Sequence, residues 1–310
     1  MTEHALVIGE ALVDVVHHPG GTTATHPGGS PANVALGLGR LGRRVELLTH
    51  LGADAHGDLI RRHLTASGVT PIVSVPASHT SVATAHLDAA ATATYEFDLT
   101  WDMSADAAVT PHPTVVHTGS IAAVTSPGAA QVAAALAQHR ASATITYDPN
   151  IRPALIDDAA TARGRIEACI DVADVVKTSD EDLAWYAPGA NVVEVARDWL
   201  RRGPAIVVVT RGAQGAVALT GTHVVEVEAT RVRVVDTVGA GDSFMAALID
   251  GLWSAGVLGR GRAGDLAHMH PSALHTIMGR CARIAAVTVS RAGANPPTLA
   301  DLGKTPAGQH

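Results

Sequence analysis

Cysteine is nearly missing from this chain, with only Cys169 and Cys281 among 310 residues and no short spacing between them. That excludes a disulfide framework and a thiolate metal cluster, and predicts reduced cysteines packed in a core or helix. Lysine is almost as rare, at Lys177 and Lys304, while arginine and alanine are abundant. This bias reads as coding preference, and the 17 histidines fit the same origin. Positive charge is not in excess, since the formal net charge is -7, which argues against nucleic acid or an anionic membrane as the main partner. No apolar run is long enough to cross a bilayer, and Met1-Thr-Glu-His leads into an apolar strand without a basic leader. The expected location is therefore cytoplasmic. Gly-x-x-x-x-Gly-Lys-[Ser/Thr], internal repeats and low-complexity linkers are absent too.

What is present suits one large domain. Hydrophobic residues make up 47%, ample for an extensive core, and residues 1–310 read as a single α/β unit. The stretch with most chemistry in it is Val234-Val-Asp-Thr-Val-Gly-Ala-Gly-Asp-Ser-Phe-Met-Ala-Ala-Leu248. Val232–Val235 reads as a buried strand, and the apolar residues after Ser243 as a helix. The glycines allow a sharp turn that exposes amides at the helix start, a natural anion site. Asp242 or Ser243 can cap that helix. Two readings of Asp242 stay open: an N-cap, or a carboxylate that takes a proton from a hydroxyl attacking a phosphoryl group.

The first strand, from Ala5, passes a glycine and delivers Asp14, which fits either a ligand hydroxyl or a surface turn. His17-His18 is not a metal pair, because neighbours on a strand face opposite ways. Gly28-Gly29 permits close approach of backbone to a ligand, Ser30 can cap, Pro31 fits a first helical turn, and Asn33 lies in that turn. Gly37-Leu-Gly-Arg-Leu-Gly42 spells a dinucleotide fingerprint in the wrong context, inside and at the end of a helix and followed by a strand. Gly42 reads as a C-terminal cap, with Gly37 and Gly39 at close-packing positions.

From Ile72 to Trp101 the segments alternate polar and apolar and predict antiparallel strands with one wet face. Tyr95, Phe97 and Trp101 cluster in a chain with only 3% aromatics. They fit closure over a sugar ring or packing behind the patch. The βα rhythm then resumes. Strands end near Asp148, Ser179, Thr210 and Asp236, so four ends deliver polar residues to one edge of a mostly parallel sheet. Arg152 reads as a phosphate or hydroxyl clamp or as a structural ion pair. Gly215–Leu219 and His223–Glu228 predict a hairpin, and helices are expected near 129–139, 162–170 and 274–287. His268-Met-His270 lacks an evident third ligand and reads as loop; the last residues read as a loose tail.

Asp236-Thr-Val-Gly-Ala-Gly-Asp-Ser-Phe244 resembles the C-terminal signature of the ribokinase family, the phosphofructokinase-B-type carbohydrate kinases. Gly28-Gly-Ser-Pro-Ala-Asn33 resembles its N-terminal signature, and Asp148-Pro-Asn-Ile-Arg-Pro153 resembles the bacterial fructokinase branch. The resemblance spans nearly the whole chain. It implies a ribokinase-like three-layer α/β/α fold with a mostly parallel central sheet and a small antiparallel β lid, here about residues 11–27 and 72–101. It implies ATP-dependent phosphorylation of a sugar hydroxyl, with fructose to fructose 6-phosphate as the first expectation. Ribose, ketogluconate or nucleoside kinases are the rivals, as is a non-catalytic sugar-binding regulator.

By the same resemblance Asp242 is the base, and the amides of Gly239, Ala240 and Gly241 form the anion hole. Asp14, Gly28, Gly29, Asn33, Phe97 and Arg152 are expected on the sugar, and Ser179, Asp182, Thr210 and Gly212 on ATP. The family's Asn-x-x-Glu is replaced by Ser179-Asp-Glu-Asp182, which shortens reach toward Mg²⁺ and brings in Glu181 beside Asp182. Asp236 and Gly293, with backbone near Val238 and Arg291, correspond to a K⁺ site in activated members. A homodimer through the lid is the expected assembly, and ATP with Mg²⁺ the expected cofactor set.

Overall fold

The structure is a computed structural model that describes residues 3–88, 93–104 and 106–303. Residues 89–92, within the expected lid, and the expected tail beyond 303 lie outside the described residues. The chain runs β1 (Ala5–Ile8), β2 (Leu12–His17), β3 (Thr23–Gly28), α1 (Ser30–Arg40), β4 (Val45–Thr49), α2 (Ala55–Thr65), β5 (Val69–Val73), β6 (Val82–Leu87) and β7 (Ala93–Asp98). It continues with β8 (Val115–Gly119), α3 (Gly128–His139), β9 (Thr144–Asp148), α4 (Ala159–Val172), β10 (Val175–Ser179), α5 (Asp180–Tyr186), α6 (Val192–Arg202) and β11 (Ile206–Thr210). Last come β12 (Ala216–Thr220), β13 (Val224–Val227), α7 (Ala240–Ser254), α8 (Ala263–Ala267), α9 (Pro271–Val289) and α10 (Leu299–Leu302).

Nine strands form one sheet in the order β13-β12-β11-β10-β9-β8-β1-β4-β5, parallel except for the edge pairs β11–β12 and β12–β13. A sheet covered on both faces needs apolar residues at every position of its strands, and the continuous valine runs supply them. The alternation is visible in β11, where Ile206 and Val208 pack into one core and Val207 and Val209 into the other. The first core is closed by α1, α2, α7 and α9, the second by α3, α4 and α6. Three layers result. Helix α7 is the most enclosed: every residue from Asp242 to Trp253 is buried.

The small sheet has the order β3-β2-β6-β7. Its outer pairs are antiparallel as expected, but β2 and β6 run parallel, so the patch is mixed. The reason is connectivity: β2 leaves the first βα unit directly, and β6 arrives after the long detour through α1, β4, α2 and β5. The beginning of the expected lid also shifts, because β5 takes Ile72 and Val73 into the large sheet beside β4.

Four further expectations need comment. Val232–Val235 is not a buried strand. Val232, Val234 and Val235 are 41%, 58% and 58% exposed, because the large sheet already ends at β13 and only a crossing to α7 remains. An apolar run alone does not distinguish the two cases. Trp101 leaves the aromatic cluster: it is buried, and its indole N–H donates to the Ala122 carbonyl at 3.1 Å. Helix α6 was not expected, although Asn191 caps it and Val195, Ala196 and Trp199 bury one face. The cysteines behave as read, both free and buried in α4 and α9.

The glycines of the false fingerprint serve packing. A Cβ on Gly37 would stand 2.7 Å from Ala246, and one on Gly39 only 2.3 Å from the Ser67 carbonyl oxygen. Gly42 has φ of 82°, with its N–H donating to the Gly39 carbonyl, as a helix cap requires. Gly39→Ala is therefore expected to destabilise the fold by about 1–3 kcal/mol through overpacking, read as a lower denaturation midpoint; an unchanged midpoint would contradict this packing assignment.

Candidate active site

The site begins where α7 begins. Gly239 adopts φ of 75° and packs on Ala294, which a Cβ at 239 would meet at 2.7 Å. The residue therefore has to be glycine for the chain to turn here and stay in contact. Gly239 is also the N-cap, and no side chain caps the helix. Neither Asp242 nor Ser243 does so: Ser243 Oγ donates to the Ala240 carbonyl at 2.9 Å. Asp242 lies in the first turn and points across to α1. Its Oδ1 accepts from Ser30 Oγ at 2.7 Å, and its Oδ2 from Asn33 Nδ2 at 2.8 Å. Asn150 Nδ2 adds a longer contact of 3.4 Å to Oδ1. Ser30 likewise does not cap α1, whose N-cap is Gly29. Among the described residues, the amides of Gly241 and Asp242 carry no hydrogen bond within the protein. A buried carboxylate held by neutral donors beside unpaired amides can accept a proton while an anion forms next to it.

Next to Asp242 the strand order reverses. β1 lies between β8 on one side and β4 on the other, and such a switch point opens a crevice beyond the strand ends. Glu10 follows β1, Ser120 follows β8, and Asn150 and Arg152 follow β9. Gly28 and Gly29 line the same approach. A Cβ on Gly28 would meet Asp14 Oδ2 at 2.2 Å, and one on Gly29 the Glu10 carbonyl oxygen at 2.6 Å. Burial pushes Asp14 up to about 6, with His26 and Arg152 pulling the other way. Burial also pushes Glu10 up to about 7, against backbone amides, the Ser120 hydroxyl and Arg152. Arg152 itself donates to Asn150 Oδ1 at 2.6 Å, and Asn150 holds φ of 39°. Phe97 sits opposite Ala83, and Ala83 opposite Asp14, so Phe97 and Asp14 share one face of the small sheet. Phe97 is 41% exposed and stacks on Tyr95 at 5.9 Å.

The other side of Asp242 is the region expected for nucleotide. Ser179 and Thr210 end neighbouring strands in register, and Gly212 follows in an open turn with φ of 52°. Asp182 is not placed for direct metal contact. Its Oδ2 accepts from the Ser179 amide at 2.9 Å in a capping box, and its Oδ1 from the Ile151 amide at 2.7 Å. The shorter side chain thus ties α5 to the Asn150 turn. Glu181, next to it, is exposed. Asp236 and Gly293 do come together, with the Gly293 amide donating to Asp236 Oδ2 at 2.8 Å. Three-residue groups of His, Cys, Asp or Glu able to hold a metal are not found among the described residues. Val232, Val234, Val235 and Val238 form an exposed apolar approach to the Gly239 turn.

A family model described as "pfkB family carbohydrate kinase" matches residues 2–300. The chain belongs to the pfkB family of carbohydrate kinases. It is 35% identical to a fructokinase of Rhizobium leguminosarum bv. trifolii over 259 residues, covering 80% of this chain and 79% of that protein. A fructokinase of Klebsiella pneumoniae is 33% identical over 262 residues, 81% and 85% of the two chains. Among solved structures, a fructokinase with bound ATP from Xylella fastidiosa aligns with a TM-score of 0.83 at 25% identity, over 94% of this chain and 93% of that one.

In this pfkB kinase the site holds residues that motif reading left without a role: Glu10, Ser30 and Lys177. Ser30 looked like a cap, while Asn150 was expected beyond a strand end where ligands gather, without a named partner. Glu10 and Lys177 had a usable signal, a charge set within an apolar strand run, which commits the chain to burying it. For Glu10 the consequence is measurable. Its folded value near 7 exceeds the ordinary 4.5, so its contribution to stability is complete below 4.5 and lost as pH rises through 7. Glu10→Gln should gain in denaturation midpoint relative to the parent between pH 5 and pH 8. Parallel pH profiles for the two proteins would contradict the raised value.

Proposed function

We propose that this carbohydrate kinase transfers the γ-phosphoryl group of ATP to fructose, with the 6-hydroxyl as acceptor. The observation that carries the reading is Asp242, buried in the first turn of α7, aimed at α1 and adjacent to the amides of Gly241 and Asp242, which carry no hydrogen bond among the described residues. The similarity to fructokinases supports fructose as the acceptor.

Asp14, Asn33, Arg152 and the backbone at Gly28 and Gly29 surround the crevice where the sugar would lie, with Phe97 on the same sheet face as Asp14. The acceptor hydroxyl gives its proton to Asp242 as its oxygen attacks. The charge growing on the transferred group meets the amides of Gly241 and Asp242, which are already oriented and lose nothing to reorganisation, whereas the expected Ala240 amide donates to the Thr237 carbonyl at 3.3 Å. The two reacting groups are thus brought together by two helix starts, and alignment is the larger part of such catalysis. Ser179, Thr210 and Gly212 border the phosphate path, and the exposed valines before the turn offer an apolar surface to the base. Mg²⁺ would neutralise phosphate charge, with Glu181 the carboxylate that fits it and Asp182 held back by backbone donors. K⁺ would sit at Asp236 and Gly293. The small sheet would close over the sugar and exclude water, and its exposed outer strand β7 is where a second copy would pair. Among the described residues no helix is long and apolar enough to cross a membrane, which is compatible with the cytoplasmic location we propose.

The test is ADP release over fructose, ribose, ketogluconate and nucleosides, with and without potassium. Fructose should give the highest kcat/KM. Sugar binding without turnover on any acceptor would instead support a regulator. Asp242→Asn should lose about 10²–10⁴-fold in kcat, the usual worth of a general base, and a near-full rate would remove the base from Asp242. The KM for the sugar should rise as pH falls through about 6, where Asp14 takes a proton and loses acceptor capacity. Asp14→Asn should abolish that dependence.

A further inference from the structure

One buried charge takes no part in the chemistry described so far. Lys177, on β10, is 3% exposed and lies directly beneath the first turn of α7. A Cβ on Gly241 would stand 3.0 Å from its ammonium nitrogen, so the turn passes over this group in close contact. The ammonium is paired with Asp148 Oδ2 at 2.8 Å, across neighbouring strands. Burial works to lower the Lys177 pKa, but Asp148, Asp182 and Asp242 outweigh it and hold it above its ordinary value, charged.

The placement is electrostatically unfavourable by itself. A helix start carries partial positive charge, so an ammonium beside it is the wrong sign. A lysine removed from water is destabilising unless excellent geometry offsets the lost hydration. The pair is also incompletely satisfied. Asp148 Oδ1 and the neighbouring His117 Nε2 are buried without a hydrogen-bond partner among the described residues, whereas an ion pair kept for stability needs its remaining lone pairs filled. His117 adds no second charge, since burial and then Lys177 push it down to about 3. Two like-signed sources, the amides and the ammonium, therefore converge at one turn. The carboxylates of Asp148, Asp182 and Asp242 offset that positive charge, and a phosphoryl anion arriving at the turn would be drawn to the same convergence.

We infer that Lys177 is a positioning residue of the anion hole: it supplies positive charge through the Gly241 turn to the transferred phosphoryl group without touching it, while Asp148 holds it in place. This rests on the phosphoryl-transfer reading above. The transition state, which concentrates charge at the turn, gains more from the ammonium than either bound substrate does.

The test compares Lys177→Met with the double variant Lys177→Met/Asp148→Asn, which leaves no unpaired charge behind. Both should fall about 10–10²-fold in kcat, below the cost of removing a direct anion-hole donor. The KM for sugar and for ATP should stay within about twofold, the signature of an interaction made mainly in the transition state. Binding of inorganic phosphate, followed by calorimetry, should weaken in both variants. If Lys177 were only half of a structural pair, the double variant would recover the parent's rate and phosphate affinity, and the inference would be overturned. The double variant also covers the case in which Lys177→Met alone fails to fold. If the parent turned over no sugar at all, the phosphoryl-transfer reading would fail, and the phosphate titration would still decide for or against the ammonium.

Discussion

The hydrogen bonds from Ser30 and Asn33 to Asp242 join two helix starts that are about two hundred residues apart in sequence. Much of the structure follows from keeping that meeting in place. Both helices carry glycine at the turn that admits them, Gly29 with φ of 100° and Gly239 with φ of 75°. They pack side by side on the same face of the large sheet, and Gly37 lets α1 approach α7 to within contact of Ala246. Gly37 of the misleading fingerprint therefore helps bring the two helices close enough for one carboxylate to be shared.

The sheet supplies the rest of the constraint. Parallel strands place all their C-terminal ends on one edge, and the reversal at β1 and β8 leaves space there for a ligand. The side facing β1 collects Glu10, Asp14 and Arg152. The side facing β11 collects Ser179, Thr210 and Gly212. Asp242 stands between them, in reach of Asn150 from the turn after β9. A sugar and a nucleotide placed on these two sides would meet at the carboxylate, and the first turn of α7 would face the group passing between them.

Buried charges brace this turn from below. Asp182 holds the Ile151 amide, which places the Asn150 turn, and Asp148 holds Lys177 under Gly241; the exposed Arg152 reaches back to Asn150 from outside. Burying so many charged groups costs stability that a pair of leucines would not, and here each contact touches a segment that borders the crevice. The replacement of the expected glutamate by Asp182 reads differently in that light. A shorter carboxylate closes the capping box with Ser179 and accepts from the Ile151 amide, while Glu181 stays exposed beside it.

The sequence alone was sufficient for the α/β class, the parallel core, the false dinucleotide fingerprint, the buried cysteines and the two signatures that carry the family. Each depends on local pattern: strand runs of valine, a glycine followed by a strand, a motif with fixed spacing. It was misleading wherever the outcome depended on what lay next to a segment in space. Val232–Val235 has the composition of a core strand, but no sheet edge is left to pair with it. Trp101 shares an aromatic cluster in sequence and not in space, because its indole finds the Ala122 carbonyl. Ser30 and Asp242 both look like helix caps, and only the tertiary structure decides that each caps nothing and that they bond to one another. The same holds for Lys177, an isolated charge in a valine strand whose meaning appears only when α7 is laid over it. A motif records which groups are available; their partners, and hence their chemistry, come from packing between elements far apart along the chain.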